Sequence, residues 1–91
     1  MITPQTSDRL ECEFLRAVYE LADGTAKRHI PYVDVCHSLD HSESEADEAC
    51  TFWTDRGTLE WTLAGHIALT YVGLRRAARL AERGWGPSVP F

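Results

Sequence analysis

Apolar residues recur at helical spacing in four stretches of this chain, and between Leu59 and Leu69 they alternate instead. That single switch limits the chain to helices surrounding one small hairpin. At 91 residues there is room for one domain and one core. With 44% hydrophobic residues, it can bury such a core and does not read as a disordered tail. The expected fold class is α+β, mostly helical. Residues 1–91 form a single domain with a core of about 8–83 and an irregular tail, 84–91.

Leu10, Phe14, Ala17, Val18 and Leu21 recur at helical spacing, with Leu15 and Ala22 widening the stripe. They predict a first helix from about Asp8 to Ala22, capped by Ser7 or Asp8 and stopped at Asp23-Gly24-Thr25. A connector follows, with a short strand at His29-Ile30. A short helix then spans Tyr32 to Leu39, with Val33, Cys36 and Leu39 facing inward. Asp40-His41 makes a tight turn. Ser42-Glu43-Ser44-Glu45 is a capping box: the Ser42 hydroxyl accepts from the third backbone N–H, and Glu45 reaches back to the cap. The third helix runs on to Arg56 and buries Ala46, Ala49, Cys50 and Trp53. Gly57 then stands where a helix ends in a positive φ. Leu59–Thr62 and His66–Leu69 alternate as strands around Leu63-Ala64-Gly65. Thr70 caps a fourth helix, Tyr71 to Arg83, whose inner stripe is Leu74, Ala77, Ala78 and Ala81, extended by Tyr71. Trp61 reads as a core residue, and Trp85 with Phe91 as tail aromatics that dock.

This order resembles the winged helix-turn-helix superfamily: a three-helix core, a two-stranded wing and a C-terminal fourth helix. Phe14–Leu21 is similar to its first helix, and Ser42-Glu43-Ser44-Glu45-Ala46 to the start of its recognition helix. Trp53-Thr54-Asp55-Arg56-Gly57-Thr58-Leu59-Glu60 resembles its exit into the wing, with Trp53 and Thr58 in place of aliphatics. The likeness runs from Phe14 to Arg83. It implies a small DNA-binding, transcription-regulator-like protein, or alternatively a protein-interaction module, because the fold serves both roles.

Charge separates those two expectations. The net charge is −5, against a basic nucleic-acid protein. Residues 1–60 hold five basic and thirteen acidic residues, a balance of −8; residues 61–91 hold four arginines and only Glu82, a balance of +3. At about 100° per residue, the outward face of the third helix carries Ser44, Asp47, Glu48, Thr51 and Asp55, with Phe52 at its edge. That face and the wing tip both lack Lys and Arg. Phosphate neutralisation supplies most non-specific DNA affinity, so DNA binding through this face is expected to be weak. The face reads as solvated surface, as a protein contact using Phe52, or as a base reader accepting from cytosine N4.

Arg75, Arg76, Arg79 and Arg83 share one outward face of the fourth helix. They read as a solvated face with Arg83 favoured at the helix C-terminus, or as a contact to phosphate or to an acidic surface, the protein's own third helix included. Arg56 is expected near the strands. Self-association is expected through the first helix, the fourth helix or the tail, as a homodimer. Cys36, His37, Asp40 and His41 could ligate a metal, but the helix should end near Leu39 and no second ligand cluster follows; no metal and no cofactor are expected. No nucleophile–base arrangement and no glycine-rich phosphate loop stands out, so an enzyme is not expected. Three widely spaced cysteines fit a reducing cytoplasm. Neither a signal peptide nor a transmembrane run is visible.

Overall fold

The computed structural model describes residues 4–39 and 41–84, with side chains from Leu10 onward; Asp40, Trp85 and Phe91 lie outside them. The elements are α1 (Pro4–Ala22), β1 (Ile30–Pro31), α2 (Tyr32–Ser38), α3 (Glu43–Asp55), β2 (Leu59–Trp61), β3 (His66–Leu69) and α4 (Tyr71–Glu82). The chain is thus α+β, with four helices and one small antiparallel sheet among the described residues. None of those helices is long and apolar enough to cross a membrane.

Helix α1 is the centre: α2, α3, α4, β1 and β3 all pack on it. Its Phe14, Leu15 and Val18 are fully buried, as are Val35, Leu59, Ile67 and Leu69 around it. Each such side chain contributes about 1.5–3 kcal/mol of hydrophobic stabilisation. The expected stripe on α1 is corrected at both ends. The helix starts at Pro4, so Ser7 and Asp8 lie inside it rather than capping it. Leu21 is exposed, whereas Leu15 and Ala22 are fully buried. A helix surrounded on several sides needs a broad apolar arc, and Leu21 falls outside it.

The third helix matches its sequence pattern. Ser42 Oγ accepts from the Glu45 N–H at 3.1 Å, and the Ser42 N–H donates to Glu45 Oε1 at 3.0 Å, which closes the capping box. Ala46, Ala49, Cys50 and Trp53 are buried. The Trp53 indole Nε1 donates to the Glu11 carbonyl at 2.8 Å, so its one polar atom is satisfied. Gly57 has φ +74°, the left-handed conformation its position calls for.

Helix α2 is rotated from expectation. Val33 is exposed and Val35 is fully buried. Tyr32, Val35, Cys36 and Leu39 form the true helical stripe, spaced i, i+3, i+4, i+7. The Tyr32 ring sets the rotation: it sits 6.2 Å from the Phe14 ring and 5.4 Å from the Trp61 ring.

The sheet has three strands in the order β1-β3-β2, so the hairpin is not a free two-stranded wing. Ile30 pairs with Ile67, while Leu59 pairs with Leu69 and Trp61 with Ile67. Strand β1 is displaced by one residue from the expected His29-Ile30. In β3, Ile67, Ala68 and Leu69 are all buried rather than alternating. Glu60, opposite Ala68, holds Lys27 Nζ at 2.7 Å beside that small side chain. Trp61 is 54% exposed and not a core residue. It ends its strand and rests on Tyr32 alone among the described rings.

His41 has a role that its metal-capable neighbourhood concealed. Its Nε2 lies 2.7 Å from Glu13 Oε1 on α1, and its Nδ1 lies 3.3 Å from Glu45 Oε1 on α3. The imidazole therefore bridges the two main core helices. Among the described residues no group of three His, Cys, Asp or Glu is placed to hold a metal.

Two expectations follow. Trp53→Ala should cost about 3–5 kcal/mol, as large core truncations do, read as a drop in urea-unfolding free energy. A change under about 1 kcal/mol would contradict the buried placement. The second concerns pH. The Glu13 hydrogen bond, then the charges of Glu13 and Glu45, raise the His41 pKa above its usual 6.5. Protonated His41 thus stabilises the fold fully below pH 6.5, and that stability is lost as pH rises through the raised folded pKa. Unfolding free energy should fall across that interval, and His41→Gln should remove the fall.

A candidate interaction groove lined by arginine

Helices α3 and α4 each pack on α1, and an open groove of about 520 Å³ lies between them. Its geometry is set at the junction around Thr58. The Thr58 N–H donates to the Trp53 carbonyl at 3.0 Å, tying β2 to the end of α3. The Thr58 carbonyl accepts from the Thr70 N–H at 3.1 Å, tying β2 to the start of α4. The Thr70 hydroxyl accepts from the Gly73 N–H at 2.9 Å and donates to the Gly57 carbonyl at 2.6 Å. Helix α4 comes so close here that a Cβ on Gly73 would sit 1.9 Å from the Thr58 carbonyl oxygen. Glycine is required for contact rather than for conformational freedom.

This approach rotates α4. Gly73 and Ala77 are its buried line, with Leu74, Ala78, Leu80 and Ala81 half-buried. Tyr71 is not an inward extension: it is 67% exposed, with Lys27 Nζ 5.5 Å from its ring centre. Arg75, Arg76, Arg79 and Arg83 all line the groove, so the four-arginine face expected from the sequence is one continuous surface.

Arg56 joins them, contrary to its expected place near the strands. Its guanidinium lies 3.5 Å from the Phe52 ring centre, and its Nη1 donates to the Phe52 carbonyl at 3.1 Å. The helix-end carbonyl and the ring face hold this cation in one pose. The signal was in the sequence: Phe52 and Arg56 are i, i+4 at a helix C-terminus, where cations are favoured. Phe52 itself belongs to the groove and not to the acidic face. It is half-buried, edge-on to Trp53 with ring centres 4.8 Å apart. Trp53, Val72 and Leu80 supply the remaining apolar lining.

Five arginines therefore surround an apolar floor, and no carboxylate is among the lining residues. None of the five is in an ion pair with another described residue. Among the described residues only Arg76 of the five hydrogen-bonds to a side chain, donating to Thr58 Oγ1 at 3.4 Å. Like charges gathered on one surface repel one another mildly in water. A bound anion relieves that repulsion.

The outer face of α3 is different. Ser44, Asp47, Glu48, Thr51 and Asp55 are all exposed. Asp47 has a structural tie, since it accepts a hydrogen bond from the Tyr32 hydroxyl and links α2 to α3. Burial, then this bond, pushes the Tyr32 pKa well up, so the phenol stays protonated. Burial also pushes the Cys50 thiol up to about 12 and raises Cys36, which keeps both thiols protonated and unreactive near neutral pH.

Comparison of the chain with protein families, curated proteins and solved structures finds no match. The groove therefore stands on its own geometry.

Gly73→Ala should destabilise the fold by about 1–3 kcal/mol or more, because the added methyl meets backbone that cannot move aside alone. A lowered thermal midpoint checks this. An unchanged or raised midpoint, as expected from a simple gain in helix propensity, would refute the close approach.

Proposed function

We propose that this chain is a winged-helix domain that binds an acidic partner protein through the α3–α4 groove, and that its third helix does not read DNA. The element order, the capping box before α3 and the Gly57 exit into the hairpin support the winged-helix reading. One observation supports the function above the others. The five arginines gather around apolar side chains, while the exposed face of α3 carries carboxylates and small polar groups. Phosphate backbones are bound by cations and backbone N–H groups and make little use of an apolar floor. Protein interfaces combine an apolar centre with arginine.

A second reading is a regulator-type DNA-binding protein that contacts phosphate with α4. It is favoured by the arginine stripe itself, which faces solvent without a described carboxylate partner. In this reading binding is weak and steeply salt-dependent, and it rests on Arg75, Arg76 and Arg79 rather than on α3.

Fluorescence anisotropy with a random pool of duplexes separates the two. The protein-binding reading expects no saturable binding at physiological salt, weaker than the ~10⁻⁴–10⁻⁶ M of non-specific DNA binders, whereas the second reading expects binding in that range. Under the second reading, Arg75→Gln, Arg76→Gln and Arg79→Gln together flatten the salt slope by about one unit per lost contact. Sub-micromolar, sequence-selective binding that disappears with Asp47→Asn and Glu48→Gln would overturn the proposal, since α3 would then be the reader.

A further inference from the structure

We infer that the groove takes an acidic amphipathic helix from a partner protein, its apolar side chains on Phe52, Val72 and Leu80 and its carboxylates on the arginines. This rests on the protein-binding reading and names the occupant. Three features of the groove decide its chemistry.

The first is charge complementarity. The lining carries five guanidinium groups and no carboxylate, on a chain whose first sixty residues balance at −8. An acidic segment is repelled by most of this surface and attracted at the groove, which fixes where it lands. The second is the floor. Val72 is 55% exposed and Phe52 and Leu80 are half-buried, so apolar surface lies in water between the arginines. A polyanion without apolar side chains leaves that surface wet. A volume near 520 Å³ admits a few side chains and not a whole helix, so the occupant lays one face in.

The third is backbone. Both walls are helices, whose backbone groups bond along the helix or at its caps, and no strand residue is among the lining residues. An extended peptide finds no sheet edge here to pair with, whereas a helix satisfies its own backbone. Arg75, Arg79 and Arg83 step by four residues along α4, which is about 6 Å per step. Carboxylates one turn apart on a helix repeat at nearly the same distance. Arg56 is the anchor of this array: its stack on Phe52 and its bond to the Phe52 carbonyl restrain the side chain before any ligand arrives. Its remaining N–H groups form a fork suited to a carboxylate.

The test uses the full chain and four fluorescein-labelled probes, followed by anisotropy at 50 and 200 mM NaCl. The probes are a sixteen-residue helical peptide with Leu at i, i+3, i+4 and i+7 among Glu, a scrambled peptide of the same composition, polyglutamate, and a twenty-base-pair duplex. The amphipathic peptide should bind at least tenfold more tightly than the other three. Arg56→Lys keeps the charge but removes the stacked fork, and should weaken binding severalfold. Arg79→Gln with Arg83→Gln should weaken it tenfold or more. Val72→Ser, an exposed change that leaves folding intact by circular dichroism, should weaken the amphipathic peptide and leave polyglutamate unchanged.

Equal binding of the scrambled peptide and polyglutamate overturns the helical occupant and leaves an acidic-partner site standing. Tighter binding of the duplex overturns the protein-binding reading as well. A dimer in sedimentation that Arg79→Gln with Arg83→Gln dissociates shows a second copy of this chain in the groove and overturns the partner. Binding of no probe overturns both.

Discussion

The close contact of Gly73 with the Thr58 carbonyl determines how α4 meets the end of α3. Thr58, the one buried polar residue among the described residues, is shared by three elements. Its N–H holds α3, its side chain faces Arg76, and its carbonyl receives Thr70 at the head of α4. Buried polar groups are costly unless paired, so this residue tolerates burial only in this arrangement. The missing Cβ at position 73 then lets α4 settle onto that backbone. With any side chain there, α4 shifts outward and the separation of Arg56 from the α4 arginines changes.

Helix α1 supplies the platform. Because α3 and α4 pack on α1, the space between them stays open. The platform is held by apolar contact through Phe14, Leu15 and Val18, and by a polar tie at its edge through His41, Glu13 and Glu45. The apolar contacts are indifferent to pH. The His41 bridge is not, and it ties α1 to α3.

Charge is segregated twice. Along the chain, acid dominates up to residue 60 and arginine after it. In space, Arg56 crosses that boundary and turns its guanidinium into the groove, while Asp47 turns toward Tyr32. A domain that is acidic overall thus presents one concentrated cationic surface. One face repels an acidic segment while the groove attracts one, and the difference is local rather than global.

Local physics determined much of this fold before any long-range contact. The capping box at Ser42, the burial period of Ala46, Ala49, Cys50 and Trp53, and the positive φ of Gly57 each depend on residues within one or two turns. All were legible in the sequence for that reason. The arginine face of α4 was legible too, because helical spacing alone aligns those side chains. Tertiary structure decided the rest. Val35 rather than Val33 faces the core because the Tyr32 ring is wedged between Phe14 and Trp61. Ala68 is buried beside Glu60, its cross-strand partner, which holds Lys27 from the connector before β1. Arg56 reaches the groove because Phe52 and the end of α3 turn it there, and α4 lies opposite because Gly73 meets Thr58. Such placements depend on contacts between residues far apart in the chain, and periodicity carries no information about the rotation of one element against another.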